Sequence, residues 1–344
     1  MHAADFMRLV EAVGTLSARQ MEDLQNVLTR FGLRIEALRQ AESRVAAPEK
    51  CGKCAGSKLV RWGRGRTGFQ RWRCTGCGTT RSTTSGTIIA GLHRPDLLHA
   101  LIKEMFPGEK STCRKAAERL GVDKMTIWRW RRTILRLLSG FGSEELSGIV
   151  EADEAFQRES RKGSREWVRH AADPASYPEP PRLRWADYAA QGIPMERGLS
   201  KWQIPILTAA DRSGKRRAEV IPNLRAATVI RALAPFVMGD AVLCSDKADR
   251  YKKLAKSRGM EHKVLSNKPG QRVIERVFHI QNINALHSRY EDFIKPFRGP
   301  ATKYLSGYIA WFLMNLRDSR ADAPDAAWDR LLGLKSDHQR ALQT

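Results

Sequence analysis

The chain has 344 residues, 42% of them hydrophobic, and its 60 Lys and Arg against 37 Asp and Glu give a net charge of +23. That length suggests two or three domains, and that charge calls for a polyanionic partner, nucleic acid ahead of an anionic membrane or protein. No apolar run approaches the roughly 18 residues of a bilayer span, and the opening MHAADFMRLVEAVG shows no basic leader before an apolar block; the expectation is a cytoplasmic protein with reduced thiols.

Residues 1–48 read as a helical element. Ser17-Ala18-Arg19-Gln20 is a capping-box pattern, and Met21, Leu24, Val27, Leu28 and Leu38 follow at near-helical spacing. A helical cap or a dimerisation element fits it. Residues 49–92 turn to Gly, Arg and Thr with few large aliphatics, as in a small domain held by something other than a core. A helical region follows over 93–142. From Ile149 apolar strands alternate with amphipathic helices: a strand, a hairpin over 204–221 turning at Asp211, Ser213 and Gly214, a helix over 225–238, a strand over 241–246, a helix over 248–257, a strand over 262–265 and a long helix over 273–292. This order predicts an α/β domain over 146–316 with a mixed sheet. Within it, the charged, Pro-rich insertion 157–201 reads as an irregular surface segment, and 317–344 as a loosely ordered tail.

Charge and cysteines concentrate together. Residues 51–140 hold 19 Lys and Arg against 5 Asp and Glu, and five of the six cysteines. Cys51-x-x-Cys54 and Cys74-x-x-Cys77 form two paired knuckles, the spacing of a closed, tetrahedral structural zinc site; Gly52 and Gly76 are expected to relieve the backbone in each. A redox reading explains one pair but not two. Between the knuckles Arg61, Arg64, Arg66 and Arg71 alternate with Trp62, Phe69 and Trp72, which suits phosphate contact plus stacking, or equally a ribbon mini-core with a solvated basic face. Cys113 and Cys244 read as buried free thiols.

The stretch CRKAAERLGVDKMTIWRWRRTILRLL (113–138) reads as two helices around a turn at Gly121, a helix-turn-helix. Its second helix offers Lys124, Thr126, Arg129, Arg131 and Arg132 as an outward face for the DNA major groove.

The densest acid cluster lies in GIVEADEAF (148–156), a run otherwise fit for burial. In a strand, residues two apart share a face, so Glu151 and Asp153 point one way, and Val150, Ala152, Glu154 and Phe156 the other. Such a cluster implies a cation or a shared proton. Asp246 ends the strand over 241–246, and adjacent strands would bring it to Asp153. Two Asp with one further oxygen ligand can hold two divalent ions about 3.5–4 Å apart for in-line attack on a phosphodiester. For that ligand the helix over 273–292 offers Glu275, Gln281, Asn282, Asn284 and Glu291; His279 and His287 read as packing or hydrogen-bonding histidines.

In order, CGKC…RWRCTGCG, TSGTIIAGL, RKAAERLGVDKMTIWRWR, VEADEAF, LCSDKADRY, HIQNINALHSRY and GPATKYLSGYIAWF resemble the bacterial insertion-sequence transposases of the ISXO2-like group, which carry an N-terminal zinc ribbon, a helix-turn-helix and an RNase H-like catalytic domain. The resemblance spans about Cys51 to Phe312. It implies that Asp153 and Asp246 are the first two ligands of a DDE-like triad, that Asn284 stands where many such enzymes have Glu, and that Lys303 is the basic residue following. It also implies two Mg²⁺ (or Mn²⁺) per site, a structural Zn²⁺, terminal inverted repeats and target DNA as partners, a nucleoid-associated place in a bacterial cytoplasm, and a homodimer or higher oligomer on DNA. A regulator derived from a transposase, or a nuclease on the same fold, are the alternatives. Pro300 departs from the family pattern, where Val is commoner.

Overall fold

Two helices open the chain because Gly14 breaks the apolar periodicity and Ser17 restarts it. In the computed structural model α1 spans Ala3–Val13 and α2 spans Ala18–Arg44, the latter opened by the capping box of Ser17 with Gln20. The structure describes residues 2–45, 47–87, 89–106, 111–138, 145–177, 190–192, 202–266, 272–317 and 328. Most of the expected irregular insertion, 178–189 and 193–201, lies outside them, as does 318–344 apart from Trp328. The chain forms two units, Met1–Thr133 with Asp318–Thr344 and Ile134–Arg317. Among the described residues no helix is long and apolar enough to cross a membrane.

In the first unit, β1 (Leu59–Arg64), β2 (Gln70–Cys74) and β3 (Thr80–Ser82) make an antiparallel sheet in the order β1-β2-β3. Glu42 of α2 ties the helix to this sheet, accepting from the Gln70 amide at 2.7 Å and pairing with Arg64 at 3.2 Å. Three helices follow: α3 (Pro95–Met105), α4 (Cys113–Leu120) and α5 (Lys124–Leu138). Gly121 closes α4 at φ 62°, a left-handed turn that a Cβ would disfavour. Asp123 then starts α5 by accepting from the amides of Met125 and Thr126. Trp328, predicted to be in a loose tail, is fully buried, its ring 4.9 Å from that of His99. An indole covered by a neighbouring ring is held by burial whatever the polarity of the text around it.

The second unit is built on five strands, β4 (Ile149–Arg158), β5 (Gln203–Asp211), β6 (Arg216–Val220), β7 (Val242–Ser245) and β8 (His262–Val264), in the order β6-β5-β4-β7-β8. β4, β5 and β6 pair antiparallel, while β4, β7 and β8 run parallel, so the sheet is mixed as the alternation predicts. α6 (Glu166–Ala172) gives the insertion a helical start that the charged text hides. α7 (Ala226–Leu233) ends early because Pro235 turns 234–236 into a 3-10 turn; α8 (Asp249–Arg258) joins β7 to β8. These two helices cover one face over a core of Val150, Ala152, Leu207, Ala209, Leu243 and Tyr251, the even-numbered side of β4. α9 (Gln281–Ile294) lies against β4 and β5, and α10 (Leu305–Arg317) against β6.

The helix expected over 273–292 begins eight residues late. Residues 274–278 instead form a tight reversal with Glu275 and Arg276 in left-handed conformations, at φ 50° and 63°. Gly307 lets α10 approach α5, since a Cβ there would sit 2.9 Å from the Leu135 Cβ and 3.2 Å from its carbonyl oxygen. Gly307→Ala is expected to lose about 1–2 kcal/mol, because overpacking outweighs the roughly 1 kcal/mol gained in helix propensity. A lowered urea midpoint checks this.

Candidate active site

The parallel register Val150↔Leu243 and Glu151↔Cys244, extended by two residues, sets Asp153 level with Asp246 on neighbouring strands. Neighbouring strands are about 4.8 Å apart, so the two residues lie side by side where β7 ends against the middle of β4. Burial pushes the Asp153 carboxyl up to about 6; the charges of Glu154 and Asp246 add to the rise, while the Glu154 amide and Arg250 oppose it. Asp246 itself is held by a 3.0 Å hydrogen bond from the Ala248 amide to Oδ1. A buried carboxylate whose ionised form is disfavoured by burial and by its neighbour's charge makes a site a cation would relieve.

The other acids of β4 are fully engaged. Glu151, 1% exposed, receives the amides of Asn282 and Ile283 at 2.9 and 3.0 Å on Oε2, and Asn282 Nδ2 at 2.9 Å and Arg212 at 3.0 Å on Oε1. It thus caps α9, whose own N-cap residue, Ile280, has no side chain that could. Glu154, on the opposite face, is gripped by Arg250 at 2.6 and 2.5 Å and by the Tyr251 hydroxyl at 2.7 Å. Both faces fall as the alternation predicts.

α9 is also fixed over Asp153 further along. Thr208, the cross-strand partner of Asp153, donates its hydroxyl to the Asp153 carbonyl at 2.8 Å and lies 2.7 Å from His287 Nε2. The hydroxyl proton is committed, so Nε2 is the donor. Burial lowers the His287 pKa, which favours that neutral ring. His279 likewise acts as a hydrogen-bonding residue, its Nδ1 accepting from the Gln281 amide at 3.2 Å. Asn284, one turn before His287, is exposed; Gln281 and Glu291 are exposed on α9 too, and Glu275 is committed to Lys263 at 2.7 Å. Lys303 sits exposed in a 3-10 turn, Thr302–Tyr304, its ammonium 5.2 Å from the Tyr304 ring. That turn is anchored to the segment after β4 by reciprocal 2.8 Å hydrogen bonds between Thr302 and Ser160.

The four cysteines converge. Cys51 and Cys77 sulfurs are 3.6 Å apart, Cys54 and Cys74 3.5 Å, and all four lie within 4.8 Å of one another. Tetrahedral zinc with Zn–S near 2.3 Å sets sulfurs about 3.8 Å apart, so the donor set fits. The knuckles repeat one geometry: Ala55 donates to the Cys51 carbonyl and Gly78 to that of Cys74, both at 2.9 Å. Left-handed φ falls on Ala55 and Gly78 rather than on the expected Gly52 and Gly76, because the chain must reverse after the second cysteine of each pair. Hydrogen bonds from Thr79 lead in bringing Cys77 down to about 6; at Cys54 the Gly56 amide is outweighed by three neighbouring sulfurs, which push it up to about 12. Four sulfurs this close share ionisation unless a cation joins them. Among the described residues this is the only group of three or more His, Cys, Asp or Glu close enough to share a metal, so no third carboxylate joins Asp153 and Asp246. One zinc per chain is expected by elemental analysis, falling below a tenth of an equivalent in Cys74→Ser.

Residues 187–313 match the family model of the ISXO2-like transposase domain. The transposase match contains Asp246, Asn284 and Lys303 and starts after Asp153. A crystal structure of a pre-cleavage Mos1 transpososome is similar at 12% identity over 69% of this chain and 77% of that one, with a TM-score of 0.21, too low to bear on fold or function. No curated protein sequence matches the chain.

Outside the transposase match, the basic residues divide. Arg61, Arg64, Arg66, Lys124, Arg129 and Arg132 are exposed, Arg71 and Thr126 half-buried. Arg61 lies over the Trp72 ring at 5.7 Å, Arg73 over Trp62 at 4.4 Å and Arg132 over Trp128 at 5.4 Å. Arg131 corrects the outward reading: it is 2% exposed and donates to the Ser111 carbonyl at 2.8 Å, with Glu104 at 3.9 Å. It falls at helical spacing with Ile127, Ile134 and Leu138, all buried, which is the signal that marks it as inward.

Proposed function

We propose that the chain is the DNA transposase of an insertion sequence, with an RNase H-like catalytic domain over 146–316. The carrying observation is Asp153 level with Asp246 on adjacent parallel strands, buried enough to leave Asp153 near 6. The transposase match over 187–313, which takes in nearly all of that domain beyond its first strand region, supports it. A zinc ribbon over 49–92, with Cys51, Cys54, Cys74 and Cys77 as ligands, and a helix-turn-helix over 93–142 read the element's terminal inverted repeats. Exposed Lys124, Arg129 and Arg132 with Thr126 meet one groove, and Arg61, Arg64, Arg66 and Arg71 meet phosphates.

Asp153, Asp246 and the amide oxygen of Asn284 would hold two Mg²⁺ (or Mn²⁺). Bound there, the ions supply Lewis-acid activation of the attacking oxygen and stabilise the leaving oxygen. The chain supplies position: Glu151 and His287 hold α9 against the carboxylates, and Lys303 neutralises a phosphate beside the cut. In the first reaction a water oxygen bonds to phosphorus and the 3′-oxygen leaves as a 3′-OH. In the second, that 3′-OH attacks a target phosphodiester, whose own 3′-oxygen leaves in turn. The test is a Mg²⁺-dependent assay on duplexes drawn from DNA flanking the coding sequence. Wild type should cleave and join; Asp246→Asn should do neither while still binding. Full activity in Asp246→Asn sinks the assignment, and cleavage without joining would make the protein a nuclease.

A further inference from the structure

The N-terminal helices carry an apolar face that nothing among the described residues covers. α1 buries no residue, and nine large apolar side chains of α1 and α2 are 42–62% exposed, among them Phe6, Val10, Leu28, Phe31 and Ile35. On α2 they follow a particular rule. Met21, Leu24, Leu28, Phe31, Ile35 and Leu38 alternate in steps of three and four, a heptad a/d seam three repeats long. Leu38 ends it against Gly68 in the turn between β1 and β2, so the open part runs through Leu28, Phe31 and Ile35.

We propose that this seam pairs with the α2 seam of a second copy of the chain, antiparallel, and that the dimer forms without DNA. A 3.5-residue period is the signature of a helix facing another helix, whereas a helix lying on a globular core or a lipid surface shows a broader stripe. Without Leu33, which points away, the other eight side chains, about half exposed, offer on the order of 700 Å² per copy, close to the ~800 Å² a standard specific interface takes from each partner. Charge sets the direction. Arg34 and Arg39 flank the seam five residues apart, the spacing that faces them across a parallel pair and makes them repel. An antiparallel pair centred between Leu28 and Phe31 brings like flanks together instead, Arg34 beside Val27 and Gln20 and Arg39 beside Gln25, so no arginine faces another. A two-fold pairing of the α1–α2 segments also lets each α1 cover its face on the same assembly. This surface stands apart from the catalytic reading, and its failure leaves the carboxylate test untouched.

Sedimentation equilibrium of the full-length, nuclease-treated protein, without DNA and in ~0.5 M salt, should give a dimer at micromolar concentration. Leu28→Glu/Phe31→Glu should weaken it at least about 100-fold with unchanged circular dichroism and zinc content, since both side chains are exposed. Leu33→Glu, exposed but off the seam, should leave it intact. Arg34→Glu should shift the dissociation constant less than about twofold; a marked tightening would overturn the antiparallel direction. A monomeric wild type, a double variant that still dimerises, or a monomer that floats with phosphatidylglycerol vesicles would each overturn the pairing.

Discussion

Asp153→Asn is expected to abolish cleavage and, in the same protein without magnesium, to raise thermal stability at pH 7.5. The first effect, at least about 10³-fold, follows from losing one of the two carboxylates proposed to hold the catalytic ions. The second follows from burial. The Asp153 pKa stands near 6 against an ordinary 3.8, so the folded state disfavours the ionised form. That cost is fully present above pH 6, shrinks as pH falls through 6, and is gone below about 4. Two pK units correspond to roughly 3 kcal/mol, and Asn removes the charge that incurs it. The variant should therefore melt several degrees above wild type at pH 7.5 and level with it at pH 4. Adding Mg²⁺ should stabilise wild type and leave the variant unmoved. A variant that melts lower at pH 7.5 in magnesium-free buffer would remove the electrostatic argument for a cation between Asp153 and Asp246.

Much of this site is legible in the sequence because a strand has a strict period. Alternation along 148–156 sorts Glu151 and Asp153 from Glu154, and the structure gives Glu154 to Arg250 and Tyr251 on the other face. The equal offset of 93 between Glu151↔Cys244 and the level pair Asp153 and Asp246 could be guessed, since a strand ending in Asp must pair somewhere in the same sheet. What local pattern hides is interaction at a distance. Val273, Val277 and Ile280 are spaced as a helix spaces them, yet the chain reverses at Glu275 and Arg276, where Lys263 on β8 pairs with Glu275. The true start of α9 is set by a carboxylate 131 residues earlier, which no capping rule applied to neighbours can find. Arg131 shows the converse error. Its position among Ile127, Ile134 and Leu138 was readable, but a run of basic residues invites a single outward reading.

Glu151 carries the other large expectation. Glu151→Ala would leave the amides of Asn282 and Ile283, the Asn282 side chain and Arg212 without their shared acceptor in a buried setting. Arg212 is itself partly exposed, so the loss rests mainly on the amides left without an acceptor, about 1–3 kcal/mol for each buried donor, with the helix cap included in it. The fold should survive near 15 °C with a sharply lowered urea midpoint. The functional loss should exceed what the unfolded fraction explains, because α9 carries Asn284 and His287 and its first turn is what Glu151 holds. Glu151→Gln separates the two contributions. Its one carboxamide oxygen can still accept from one amide, but its NH₂ group would face Arg212 or a backbone N–H, so it should recover part of the stability and little of the activity. Amide hydrogen exchange at Asn282 and Ile283 gives a direct readout, expected to accelerate at least about tenfold in Glu151→Ala while the Asp153 amide in β4 stays protected. Unchanged exchange at those two amides would show that α9 is held by its apolar contacts alone, and full cleavage activity in Glu151→Ala would detach the position of α9 from the chemistry.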